Sequence, residues 1–301
     1  MRKKILLSVW IASVAALIGC KKNDEVTAPK SEPTTLRFSQ PKKVSISGYA
    51  GDIMEPFLSR DGSTLFFNNL NDPSVNTNLH LAARINDTTF EYRGELKGVN
   101  TEKLEGVPTI DGTNVLYFVS TRNYDQTYST IYSGYFSGDS ITNIHLISEI
   151  SKKQAGWVNF DVEVSMDGNS LFFVDGRFDQ NGGPYEADIV LAERKNGVFQ
   201  RSDNLDILKN INTSALEYAA CISSDMLALY FTRVDTPLTS SSIPQIYVAT
   251  RSTVNQPFSQ PNKIETITGF VEAPALSADD QIIYYHKKVN NMFVLYMVRK
   301  E

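Results

Sequence analysis

The stretch EPFLSRDGSTLFFN, residues 55–68, decides the reading of this chain. It runs from an acidic residue through a short apolar segment to a Ser and an Asp-Gly pair, then into an apolar-aromatic segment. Asp-Gly between two short apolar runs is the strongest local signal for a β-hairpin, because a tight turn needs residues that tolerate positive φ. The same grammar returns as EGVPTIDG-TNVLYFVS, DVEVSMDG-NSLFFVDG, EYAACISSD-MLALYFTR and EAPALSADD-QIIYYHKK. With the turn aspartate as marker, the copies fall at Asp61, Asp111, Asp167, Asp225 and Asp279, at spacings of 50, 56, 58 and 54 residues. A period in this range signals a repeat architecture.

Each hairpin is followed by a polar loop and a third apolar run (residues 79–82, 130–132, 188–192 and 245–249). A more irregular fourth run follows at 90–96, 141–147, 199–207 and 258–267. Four short antiparallel strands per repeat are the pattern of a β-propeller blade. No mature segment carries a sustained helical period. The chain ends fix the blade count. FSQPKKV at 38–44 resembles FSQPNKI at 258–264, a fourth strand, yet no blade precedes it. The last copy, in turn, supplies only three strands. The N-terminal strand therefore completes the last blade and removes two open sheet edges. The expected fold is all-β: a five-bladed propeller of four-stranded antiparallel blades, ring closed by the N-terminal strand. Six blades is the alternative, although no further stretch of repeat length remains.

The 301 residues are 42% hydrophobic and 21% charged, a folding composition. A net charge of −5 argues against a nucleic-acid partner, whose phosphates require a clustered basic face. At the N-terminus, Arg2, Lys3 and Lys4 precede an apolar run that ends in Leu17-Ile18-Gly19-Cys20. This order resembles a bacterial lipoprotein signal with its lipobox, which implies lipidation at Cys20. Residues 21–36 are polar and read as a flexible tether, leaving 37–301 as the propeller domain. Lys21 follows the Cys with no Asp to signal inner-membrane retention, and the charged stretch after it is similar to the tags that carry some bacterial lipoproteins to the cell surface. The expected address is the outer membrane, on its periplasmic or cell-surface face, with membrane contact through the lipid alone. With Cys20 lipidated, Cys221 has no disulfide partner.

The elements DIVLAER at 188–194, INTSALE at 211–217 and S-x-D-G before an aromatic strand resemble the TolB-type, WD-like propeller repeat of periplasmic and outer-membrane proteins. The resemblance implies a fold and says little about activity, since propellers host scaffolds, lectins and hydrolases alike. TolB-type domains have six blades, so a count of five departs from the pattern.

In a propeller the first strand of each blade lines the channel. Its starting residue here is acidic in every copy: Glu55, Glu105, Asp161 (with Glu163 following), Glu217 and Glu272. Glu105 and Glu217 share the frame Asn-Thr-x-x-Leu-Glu. These acids would either ring the channel mouth, where Ca²⁺ or a polyhydroxyl ligand could bind, or fix blade-to-blade packing by accepting backbone hydrogen bonds. A third reading is glycosidase chemistry by two of them. His80, His145 and His286 lie in different blades without metal-ligand spacing, so no metal site is expected, and no catalytic residue is assigned. The 181–185 and 236–244 loops, with Tyr124, Tyr128 and Trp157, are candidate partner surfaces. The reading drawn is a monomeric, non-enzymatic, lipid-anchored module without cofactor that binds an envelope protein or glycan. The alternative is a carbohydrate-active enzyme of glycoside hydrolase type using the mouth carboxylates.

Overall fold

The computed structural model describes residues 36–72 and 75–301, so the signal, lipidation and most of the tether lie outside the described residues. Residues 38–301 form five blades around a channel. Blade I comprises Met54–Leu58, Thr64–Asn68, Leu79–Asn86 and Thr89–Glu95. Blade II comprises Glu105–Ile110, Val115–Ser120, Ile131–Ser137 and Ser140–Leu146. In blade III the inner strand is broken into Trp157–Val158 and Val162–Val164, followed by Ser170–Asp179, Gly182–Lys195 and Val198–Arg201. Blade IV comprises Leu216–Ile222, Ala228–Val234, Gln245–Thr250 and Asn262–Lys263. Blade V comprises Val271–Leu276, Ile282–Val289 and Met292–Arg299. Helix among the described residues is confined to one turn at Tyr124–Thr127 and a 3₁₀ turn at Leu205–Leu208.

The N-terminal segment closes the ring as the repeat required. Lys42–Lys43 pairs antiparallel with Met292–Arg299, matching Lys42 to Met297 and Lys43 to Tyr296. A bridge from Phe38 to Lys300 extends the pairing. The segment then does something the repeat did not announce. Ser45–Ser47 leaves blade V and runs parallel along Thr89–Glu95, the outer strand of blade I. Val44 sits at the crossover, 1% exposed, with its N–H donating to the Leu295 carbonyl at 2.9 Å. One short segment thus binds the last blade to the first.

The apolar faces of the strands meet their neighbours in five clusters, one for each junction between adjacent blades. Phe67 and Phe90 of blade I meet Tyr284 and Leu295 of blade V, so the junction made by closure is packed like the other four. The aromatic second strand of each repeat supplies most of the largest buried side chains, among them Phe66, Phe118, Phe172, Phe231 and Tyr284.

The inner hairpins share one turn. Ser59, Ser165, Ser223 and Ser277 each donate a hydroxyl to the aspartate of the turn (Asp61, Asp167, Asp225, Asp279) at 2.5–2.6 Å. The same hydroxyls accept a backbone N–H from the far side of the turn at 2.8–3.0 Å. Blade II differs. Asp111 stands where the other blades have the serine, and its carboxylate accepts the N–H groups of Thr113 and Val115 directly. The aspartate marker is therefore out of register in blade II: counted from the serine position, the first two spacings are 52 and 54 residues rather than 50 and 56.

Closure predicts a contrast within one segment. Val44→Ala should cost about 1–3 kcal/mol in urea denaturation, whereas Lys42→Ala and Lys43→Ala, both exposed, should change stability by no more than about 0.5 kcal/mol. Equal effects at all three positions would show that the crossover does not hold the ring.

Candidate functional site

The inner strand of every blade has one edge facing the channel, where no further strand pairs with it. Proline is tolerated on such an edge, because the missing N–H is not needed by a ladder. Pro56, Pro108 and Pro274 line the channel, which narrows to a void of about 30 Å³. Arg60 bridges three blades beside it: its guanidinium donates to the carbonyls of Ile110 and Val164 and faces Glu163 at 3.6 Å. Burial pushes the Glu163 carboxyl up to about 7, against the opposing pull of Arg60 and Thr109. Glu163, the second acid of its pair in the sequence, thus lies within the channel and not at the mouth.

At the mouth end, four inner strands carry a bulge. The ladder slips between Met54 and Phe57, Gly106 and Thr109, Tyr218 and Cys221, and Glu272 and Ala275. Within each slip one non-glycine residue takes positive φ: Glu55 (47°), Val107 (55°), Ala219 (51°) and Ala273 (54°). Such a conformation costs on the order of 1–3 kcal/mol for an L-residue and persists only where its surroundings hold it. Here the turned N–H of each bulge residue donates to a side chain of the preceding blade. Glu55 donates to His286 Nδ1 at 3.2 Å, Val107 to Asn68 Oδ1 at 3.0 Å, Ala219 to Asp161 Oδ2 at 3.1 Å and Ala273 to Thr232 Oγ1 at 3.1 Å. Asn68, Thr232 and His286 occupy equivalent places near the end of the second strand of their blades, and all three are fully buried. Blades II and III have Val119 and Val174 at that place. Neither can accept a hydrogen bond. Blade III accordingly has no positive-φ bulge, and blade IV is latched by Asp161 instead.

The five acids of the inner strands separate into two sets. Glu105 and Glu217 are fully buried and lie behind the mouth. Thr101 closes a loop on Glu105 through its N–H (2.7 Å) and hydroxyl (2.8 Å), and Arg122 pairs with it at 3.2 Å. Thr213 and Arg233 do the same for Glu217, at 3.1, 2.6 and 2.7 Å. In the same frame, Asn100 and Asn212 hydrogen-bond both backbone groups of Leu79 and Ile189 in the preceding blade. The shared sequence frame is an inter-blade clip.

Glu55, Asp161 and Glu272 instead meet at a pocket of about 620 Å³ over the channel mouth. Glu55, Val107 and Asp161 border both the pocket and the channel void, so they form its floor. The three carboxyls come from blades I, III and V, with Tyr218 from blade IV between them. The Tyr218 hydroxyl donates a short hydrogen bond to Glu272 Oε1, and His286 Nε2 bonds Glu272 Oε2 at 3.1 Å. Because His286 Nδ1 accepts the Glu55 N–H, its proton sits on Nε2 and is donated to Glu272. Glu272 thus has a hydrogen-bond donor on each oxygen. Asp161 is different: burial, and secondarily the charge of Glu272, push its carboxyl up to about 8 despite the Ala219 N–H. Burial and the charges of Asp161 and Glu272 likewise hold Glu55 well above the usual range. Burial raises the Tyr218 phenol as well, with Glu272 adding to it.

Two long connections add to the pocket walls. The 181–185 stretch is the tip of an extended hairpin, paired as far as Asp179 and Gly182, and it contributes Pro184. The 236–244 loop contributes Leu238, Thr239, Ser242 and Pro244. Tyr124, Tyr128 and Trp157 do not line the pocket. The Tyr124 hydroxyl bridges Gly156 and Trp157, and Lys152 lies over the Trp157 ring. Cys221 is buried beside the channel with its thiol pushed well up by desolvation. Sequence reasoning missed His286 and Tyr218, whose only signal was that they break the apolar pattern near the acids.

No protein-family model matches the chain, and comparison with curated proteins returns no match. Solved structures do match it over most of its length. A glycoside hydrolase is 10% identical with a TM-score of 0.61, covering 88% of this chain and 93% of its own. The Bacillus subtilis arabinanase is 11% identical, TM-score 0.58, over 85% and 96%. A protein described as a TolB from Agrobacterium tumefaciens is 12% identical, TM-score 0.50, over 86% and 78%. At such identities the likeness is one of fold: the chain is a β-propeller with five blades.

Two measurements test this geometry. Thr232→Val keeps the shape of the side chain but strips the Ala273 N–H of its acceptor, and should cost about 1–3 kcal/mol as a lower denaturation midpoint at unchanged slope. The second concerns pH. Between about pH 4 and pH 8 the unfolded chain has lost a proton that folded Asp161 keeps, so its contribution to stability falls as pH rises through that window and levels off above it. Asp161→Asn should therefore gain Tm relative to the parent steadily from pH 4 to pH 8. Parallel Tm curves would mean that Asp161 is not held protonated.

Proposed function

We propose that the pocket is a glycoside hydrolase-type active site and that the protein is a carbohydrate-active enzyme. The observation that carries this reading is the convergence of three carboxyls, in unlike environments, on one pocket over the channel mouth. Glycoside hydrolysis asks for two carboxyl groups with opposite roles, one holding a proton at neutral pH and one without it. Asp161 suits the acid. Its proton passes to the glycosidic oxygen as the bond to the anomeric carbon breaks. Glu272, held by Tyr218 and His286, suits the base that takes a proton from the attacking water. Glu55 keeps its own proton for a sugar hydroxyl. The structural likeness to a glycoside hydrolase and to an arabinanase supports the glycan reading over a scaffold. In this proposal the lipidated Cys20 and the 21–36 tether hold the enzyme at the outer membrane, where envelope or captured glycans are the substrates.

The test is a hydrolysis screen over neutral aryl glycosides and oligosaccharides. Asp161→Asn and Glu272→Gln should each lower kcat by about 10²–10⁴-fold. Glu105→Gln should lower Tm and leave kcat within a few-fold, because that carboxylate serves the inter-blade clip. Absence of turnover on every substrate, or loss of activity in Glu105→Gln without loss of stability, would refute the assignment.

A further inference from the structure

The pocket walls define the ligand more narrowly than its floor does. Away from the three acids the cavity is bounded largely by side chains with no polar atom, among them Leu104, Val119, Phe178, Leu216, Val234 and Phe270. Polar side chains on the wall are few: Asn71, Thr121, Thr239 and Ser242, with Tyr218 already committed to Glu272. Among the described residues, no Lys or Arg lines the cavity. The apolar surface also continues outward. Leu238 lines the pocket and is 48% exposed, and Ile243, set between the lining residues Ser242 and Pro244, is 50% exposed.

Each feature excludes something. A carboxylated or sulfated sugar would meet carboxyls and no cation, a combination that disfavours a charged ligand. An oligosaccharide filling the cavity would press most of its hydroxyls against Val, Leu and Phe, and a buried hydroxyl without a partner is penalised. The acids and the few polar groups near them can address one small polyhydroxyl head. The remaining wall, out to Leu238, is suited to a group without hydrogen-bonding needs.

We infer that the pocket takes an uncharged glycoside with an apolar aglycone, an alkyl or aryl glycoside, its sugar on Glu55, Asp161 and Glu272 and its aglycone along the wall to Leu238. The placement of the sugar rests on the catalytic reading above. The preference for an apolar aglycone rests on the wall alone.

Equilibrium binding separates the two. Methyl, octyl and p-nitrophenyl glycosides of arabinose, xylose, galactose and glucose, with p-nitrophenyl glucuronide, would be titrated into the protein and into Leu238→Asp, a change at an exposed loop position. For at least one neutral sugar the octyl or aryl glycoside should bind about ten-fold or more tighter than its methyl counterpart, with the glucuronide weakest. Leu238→Asp should cut that preference to about three-fold or less. Equal binding of methyl and octyl glycosides, tightest binding of the glucuronide, an unchanged preference in Leu238→Asp, or no binding by any member of the panel overturns the inference. Hydrolysis followed in parallel keeps the claims apart. Apolar preference without turnover overturns the catalytic reading and supports this one, and turnover without apolar preference does the reverse.

Discussion

The innermost strand of a blade has a partner on one side only. Its other edge faces the channel, where the neighbouring blades are too far turned to pair with it as a sheet. Every backbone group on that edge must be omitted, turned or captured, since buried polar groups without partners are costly. This chain uses all three solutions. Pro56, Pro108 and Pro274 omit the donor. The bulges at Glu55, Val107, Ala219 and Ala273 turn it, and His286, Asn68, Asp161 and Thr232 of the preceding blades capture it. The strain of positive φ is thereby tied to inter-blade hydrogen bonds. A bulge cannot relax without unlatching two blades, which keeps the mouth geometry fixed.

Much of the fold was legible in the sequence because it depends on periodic, local features. The Ser-x-Asp turn, the aromatic second strand and the FSQP echo at the two ends each have one meaning for the backbone. The architecture and the closure follow from them. What escaped was non-local or exceptional. The crossover of Ser45–Ser47 onto blade I depends on where the chain goes after closure, and nothing in three polar-apolar-polar residues encodes a parallel partner. The register of blade II was hidden because Asp111 does with a carboxylate what serine does elsewhere. The 181–185 segment resembles a loop by composition, yet its flanking strands pair to the tip.

The acids were legible as a list and illegible as a site. Read along the chain they are five equivalent strand starts. In space, a shift of one or two residues relative to the bulge decides whether a carboxylate enters the pocket or turns back under the clip. Glu105 and Glu217 precede the bulge residues Val107 and Ala219 by two positions and meet an arginine. Glu55 is itself a bulge residue, Asp161 stands at the matching position of blade III, which has no bulge, and Glu272 lies one before the bulge residue Ala273. Sequence resemblance between Glu105 and Glu217 was therefore a sign of shared structural duty. The acids that failed to fit the common frame are the ones that share the pocket.

That inversion has a physical basis in repeat proteins. A residue required by blade-to-blade packing is required at every junction, so it recurs. A binding or reacting site on the ring axis is needed once, and it arises where individual blades depart from the common pattern. The latch position makes the point. Thr232 there satisfies the Ala273 N–H through its hydroxyl and has no second polar atom. Asn68 accepts the Val107 N–H and donates from its amide nitrogen to Asn71, a pocket-lining residue. His286, at the same place in blade V, has a second nitrogen, and it reaches Glu272. Replacing a one-ended latch by a two-ended one converts a packing contact into a link between the Glu55 backbone and the Glu272 carboxylate. Blade III supplies the complementary departure. Val174 cannot latch, Asp161 takes over that task, and the carboxyl drawn inward to do so is pushed by burial up to about 8. The asymmetry between Asp161 and Glu272, on which acid–base chemistry would depend, is thus a consequence of how two blades solve the same edge problem differently.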